Sequence, residues 1–140
     1  MISTIAVGTD GSKTAETAVD AAFDLAEKLG ARLVVVSAFS AKDHVVSTGA
    51  PLEEQWMTNP ADTVHDTLHK AEERAAARGL TITTDAGEGD PADVLVRLAQ
   101  KHDADVIVIG NKGMQRRVLG SVPNSVTHKA QCSVFVVKTT

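Results

Sequence analysis

The residues of this 140-residue chain best suited to hold an anion lie on one loop. Gly110, Gly113 and Gly120 punctuate it, Ser121 closes it, and Lys112, Arg116 and Arg117 fall in between. Glycine lets a phosphate approach the backbone with no Cβ in the way. Successive N–H groups just ahead of a helix favour negative charge. Ser121 adds a hydroxyl donor, and Lys112 a positive charge. Arg116 and Arg117 read either as phosphate partners or as a solvated loop. Glycine-rich turns also serve the chain path alone, so the spacing leaves phosphate binding and simple chain reversal both open.

Other chemistry-bearing patterns carry less. Gly87-Glu88-Gly89-Asp90-Pro91-Ala92 begins like a dinucleotide fingerprint, but Ala92 takes the last glycine position and the segment is not the first βα turn. It reads as a helix start. The chain has no G-x4-G-K-[ST] run, which disfavours a Walker-type NTPase. His65 and His69 stand one turn apart on a helix, a spacing that suits zinc, but no third ligand accompanies them and they read as solvent-facing. Cys132 reads as a small core residue opening a buried strand. Glu53-Glu54 and Glu72-Glu73 read as solvated faces. No base and nucleophile stand out as a catalytic pair.

The elements that must position the glycine loop follow from periodicity. Ile2 to Thr9 is a short apolar strand running into a second glycine-containing turn, Gly8-Thr9-Asp10-Gly11-Ser12. From residue 12 the apolar spacing becomes three and four, a helix that ends at Gly30. Leu33-Val34-Val35-Val36 within Ala31 to Phe39 suits a strand buried on both faces. Residues 40–59, with Trp56, read as a long loop. Asn59-Pro60-Ala61-Asp62 starts a helix to about Arg78, stopped by Gly79. Leu80 to Thr84 alternates as a strand, and Asp90-Pro91 starts the next helix. Asp105 to Ile109 is the most apolar strand. A short helix from about Pro123 to Ala130 precedes the last strand, Cys132 to Lys138.

Strands alternating with helices imply parallel strands joined by right-handed crossovers. The expectation is one α/β domain over residues 1–140, a doubly wound five-stranded parallel sheet with helices on both faces. Ligands of such sheets sit at the carboxyl ends of the strands where the strand order reverses. That puts the turns after the first and fourth strands together.

The whole chain narrows the function classes. A net charge of −4 gives no electrostatic reason to capture nucleic acid or an anionic membrane. With no Tyr, one Trp and three Phe, base-stacking platforms are not expected. One cysteine rules out an internal disulfide. The N-terminus lacks signal-peptide character, and no apolar run approaches the roughly 20 residues that span a bilayer, so a cytoplasmic location is expected.

Several segments resemble the universal stress protein family. Its members carry G-x2-G-x9-G-[ST] after the fourth strand. This chain has Gly110-x2-Gly113, then six residues, then Gly120-Ser121-Val122. Ile5-Ala6-Val7-Gly8-Thr9-Asp10-Gly11-Ser12 resembles the family's first strand and turn, Gly87 to Ala92 its third helix start, and Ala130 to Val137 its last segment. The resemblance spans nearly the whole chain. It implies strand order 3-2-1-4-5 and an adenine-nucleotide site. Gly8, Thr9 and Asp10 would then contact base and ribose, the backbone near Ala38 the adenine edge, and Ile109, Gly110, Lys112, Gly113, Arg116, Arg117, Gly120, Ser121 and Val122 the phosphate end. A carboxylate at position 10 suits a ribose hydroxyl, and equally a turn or a helix cap. The glycine loop is three residues shorter than the family's, which leaves ATP, with Mg²⁺, and cyclic AMP as alternatives. The resemblance implies a homodimer through Val134, Phe135, Val136 and Val137, and a regulatory binding module rather than an enzyme. A slow nucleotide hydrolase and a ligand-free interaction protein are the competing readings.

Overall fold

The hydrophobic runs assemble into a five-stranded parallel sheet in a computed structural model that describes residues 1–40, 60–111 and 120–139. The elements are β1 (Thr4–Gly8), α1 (Lys13–Leu29), β2 (Arg32–Phe39), α2 (Pro60–Ala77), β3 (Thr83–Glu88), α3 (Pro91–Lys101), β4 (Val106–Gly110), α4 (Ser121–Lys129) and β5 (Ser133–Val137). Strand order is β3-β2-β1-β4-β5, every neighbouring pair parallel. Order reverses between β1 and β4, as the doubly wound expectation requires.

Alternation along the central strands splits the core in two. Ile5, Val7, Leu33, Val35, Val106 and Val108 face α1 and α2, packing on Phe23, Ala22, Val64 and Leu68. Ala6, Val34, Val36, Ile107 and Ile109 face the other way, onto Leu95, Leu98 and Val126 of α3 and α4. Being buried on both faces is what makes these strands read as unbroken apolar runs. Helix ends follow their local chemistry. Ser12 caps α1, accepting from the Ala15 N–H at 3.2 Å, and Gly30 closes it at φ 63°. Asp90 caps α3 and Pro91 occupies its first turn.

Two expectations are corrected. The third strand is Thr83–Glu88, not Leu80 to Thr84. Leu80 and Ile82 are partly buried on the first core but precede the ladder, whose rungs run from Val34↔Thr83 to Phe39↔Glu88. An edge strand takes its extent from its partner, here the eight-residue β2, so its own TTDAGE sequence carries little apolar signal. Cys132 precedes β5 rather than opening it, and is half-buried against the second core beside a strand that is itself only partly covered. Smaller shifts affect helix ends: α4 begins at Ser121, two residues before Pro123.

Candidate functional site at the strand-order reversal

A cavity of about 450 Å³ opens at the carboxyl end of the sheet, on the α3–α4 side. Gly8, Thr9 and Asp10 line it where β1 ends, and Val36, Ser37 and Ala38 where β2 continues past β1. Ile109 and Gly110 close β4, Pro91, Val94 and Leu95 come from the first two turns of α3, and Gly120, Ser121, Val122 and Pro123 from the start of α4. Thr14 and Ala15 of α1 complete the described lining. Most of these side chains are apolar, and Asp10 alone among them is charged.

The β1 turn is held from several sides. The Thr9 N–H donates to the Val36 carbonyl at 2.9 Å, and the buried Ser37 hydroxyl donates to the Thr9 carbonyl at 2.7 Å. The Ser12 N–H donates to Asp10 Oδ1 at 2.9 Å, and the Gly11 N–H to Thr9 Oγ1 at 3.1 Å. Gly11 sits at φ 80°, a conformation that favours glycine. Gly8 is glycine for a different reason: a Cβ there would lie 3.0 Å from Leu95 Cδ2, in the corner where β1 meets α3.

Two features give the cavity polar character from backbone alone. The β1–β2 ladder ends at Gly8↔Val36. Residues of a parallel strand face alternate neighbours, and Val36 faces β1 through its carbonyl. Ala38, two residues on, therefore turns its amide and carbonyl to the same side, beyond the last rung. The second feature is the start of α4. Ser12 and Asp90 cap α1 and α3 with side chains, whereas α4 begins on Gly120 with no side-chain cap. First-turn N–H groups have no acceptor within their own helix, so Ser121 and Val122 present donors at the positive end of the helix dipole.

Of the residues singled out in the sequence, Gly8, Thr9, Asp10, Ala38, Ile109, Gly110, Gly120, Ser121 and Val122 come together around this cavity. Lys112, Gly113, Arg116 and Arg117 lie outside the described residues, as does Trp56. Sequence reasoning missed Ser37 and the wall formed by Pro91, Val94 and Leu95. Ser37 carried a signal, a hydroxyl interrupting the apolar run of β2. Val94 and Leu95 did not, since their pattern is that of any helix packed on a sheet.

The remaining patterns lie elsewhere. His65 and His69 are exposed and border a second cavity between α2 and β3, and His69 Nε2 contacts Glu73 at 3.0 Å. Among the described residues no three metal-ligating side chains gather. Burial raises the Cys132 thiol above its ordinary range, leaving it a poor nucleophile. No described helix is long and apolar enough to cross a membrane.

A model of the universal stress protein family matches residues 1–138. The chain belongs to this family. Universal stress protein Rv1636 of Mycobacterium tuberculosis is 36% identical to it over 143 residues, covering 98% of this chain and 97% of the relative. Universal stress protein MJ0531 of Methanocaldococcus jannaschii is 32% identical over 140 residues, covering 96% and 81%. Among solved structures, a universal stress protein crystallised in complex with cAMP is 32% identical and superposes with a TM-score of 0.77 over 99% of both chains. A family member from Burkholderia pseudomallei is 29% identical, with a TM-score of 0.74 over 97% of this chain and 96% of that one. In this universal stress protein the glycines of β1 and β4 and the start of α4 thus share one cavity with Asp10.

Proposed function

We propose that this universal stress protein binds an adenine nucleotide, ATP or cyclic AMP, at the β1–β4 cavity and acts as a regulatory or sensing module. The observation that carries the reading is the arrangement of the cavity walls. Ala38, Val94 and Leu95 give the cavity an apolar lining, a carboxylate sits at Asp10, and an uncapped helix start lies at Gly120. A flat base suits the apolar lining, and the Ala38 amide and carbonyl can meet the donor and acceptor of an adenine edge. Asp10 accepts from a ribose hydroxyl. The phosphates lie toward Gly110 and the amides of Ser121 and Val122. The proposal also assigns Gly113, Lys112, Arg116 and Arg117, which lie outside the described residues, to the phosphates, and Mg²⁺ accompanies ATP. The similarity to a family member crystallised with cAMP supports an adenine ligand.

The reading assigns binding rather than turnover, because the described lining offers one carboxylate, Asp10, and the reading commits it to the turn and the ribose. The last strand supports a homodimer: β5 is an edge of the sheet and Phe135 is 47% exposed on it. The test is calorimetric titration of nucleotide-stripped protein with ATP and with cyclic AMP, each with and without Mg²⁺. Saturable binding of either supports the reading. Failure of both leaves a ligand-free interaction protein. Steady Mg²⁺-dependent release of product would instead make it a slow hydrolase.

A further inference from the structure

Behind Gly110, away from the cavity, the end of the described chain is fastened to the start of the glycine loop. Asn111 is only 2% exposed. Its Oδ1 accepts both from the Thr139 N–H at 2.7 Å and from the Thr139 hydroxyl at 2.8 Å. Its own N–H donates to the Val137 carbonyl at 2.9 Å. Three hydrogen bonds therefore tie one residue of the loop to the chain end, one to the last residue of β5 and two to Thr139 just beyond it. Thr139 also sits against the turn itself: a Cβ on Gly110 would come 3.1 Å from Thr139 Cγ2. Gly110 is thus wedged between the cavity in front and Thr139 behind.

From this geometry we infer that Asn111 and Thr139 form a latch that positions the Gly110 backbone at the phosphate end of the site, making Asn111 and Thr139 positioning residues for nucleotide binding. The inference rests on the nucleotide reading above. A buried amide oxygen with two donors has one orientation that satisfies both, so the carbonyl and amide flanking Gly110 are set before ligand arrives. Preorganisation of this kind adds affinity without any direct contact to the ligand.

Two substitutions at Thr139 separate the latch from simple packing. Thr139→Val keeps a branched side chain against Gly110 and removes the hydroxyl donor. Thr139→Ser keeps the donor and removes the methyl. If the latch operates, T139V binds ATP or cyclic AMP about three- to tenfold more weakly, the effect of one hydrogen bond, while T139S stays within about twofold of the parent. The reverse order, T139S weak and T139V intact, would make Thr139 a packing residue and overturn the inference. Amide hydrogen exchange in the ligand-free protein checks the latch independently. The Thr139 amide is protected in the parent and exposed in Asn111→Ala. A Thr139 amide that exchanges freely in the parent, with nucleotide still bound tightly, sinks the latch alone. A parent protein that binds neither nucleotide sinks the binding reading, and the latch with it.

Discussion

Asp10 has one role in its turn and a proposed second one, and a single substitution can separate them. Its Oδ1 accepts from the Ser12 N–H and shapes the turn into α1. The proposed second role is to accept from a ribose hydroxyl. Asp10→Asn keeps an acceptor for the turn and loses the negative charge. Its thermal midpoint is expected within a degree or two of the parent, with ATP or cyclic AMP affinity down about tenfold. Equal affinity in calorimetry would confine Asp10 to the turn. Gly8 makes a steric case. A Cβ 3.0 Å from Leu95 meets a side chain that is itself only 3% exposed and has little room to withdraw. Gly8→Val should lower stability by about 1–3 kcal/mol, in line with overpacking, and close the corner of the cavity. Urea unfolding reads the first effect and titration the second.

Elements bring these residues to one place, and their ends are where they can be loosened. Asp90 accepts from the Asp93 N–H at 3.2 Å and starts α3, whose first two turns supply Pro91, Val94 and Leu95 to the cavity. Asp90→Ala should lower stability by about 1 kcal/mol through loss of the cap. The far end of α3 is tied to the sheet edge through Asp85 of β3. Its carboxylate meets His102 Nε2 at 2.7 Å and Lys101 Nζ at 3.0 Å. Burial would push Asp85 up, but the bonds to His102, Lys101 and the Ala86 amide outweigh it and hold the group below its ordinary value. A depressed carboxylate contributes stability that is fully present above the unfolded value, about 3.9. That contribution is lost as pH falls through the lower folded value. Stability of the parent should therefore decline more steeply below about pH 4 than that of Asp85→Asn, in urea titrations across that range. Parallel curves would mean that Asp85 gains nothing from its partners.

At the scale of the whole molecule, the sheet has two edges of different character. β3 is polar, whereas β5 is SVFVV with Phe135 outward. An apolar edge with unpaired backbone groups is a pairing surface, and it supports the proposed homodimer. Phe135→Glu should give a monomer in sedimentation velocity at micromolar concentration, with nucleotide affinity retained, because Phe135 lies outside the described cavity lining. A parent protein that sediments as a monomer at the same concentration removes the dimer. The α1–α2 side is held differently. Arg74 bridges Glu16 and Asp20, and Arg78 bridges Asp24 and Glu27 while lying 5.3 Å from the centre of the Phe23 ring. These partly exposed pairs add little each. The buried faces of both helices carry most of the packing.

The amino-acid order alone determined the architecture, because burial on both faces writes itself as apolar runs at β1, β2 and β4, and cap chemistry marks Gly30 and Asp90-Pro91. It also indicated that the turns after β1 and β4 would meet, since a parallel sheet that reverses its order leaves a crevice there. Three things waited for the tertiary structure. The extent of β3 is set by its partner β2, and an edge strand lacks the two-sided burial that would show in sequence. The α3 wall of the cavity, Val94 and Leu95, follows from how a helix lies over the sheet, while its apolar pattern is the same whether it faces a cavity or a filled core. The pairing of Asn111 with Thr139 joins residues 28 positions apart, and a single buried amide oxygen leaves no periodicity to read. Local chemistry is legible because it repeats along the chain, and long-range pairing is not, because only the fold supplies the partner.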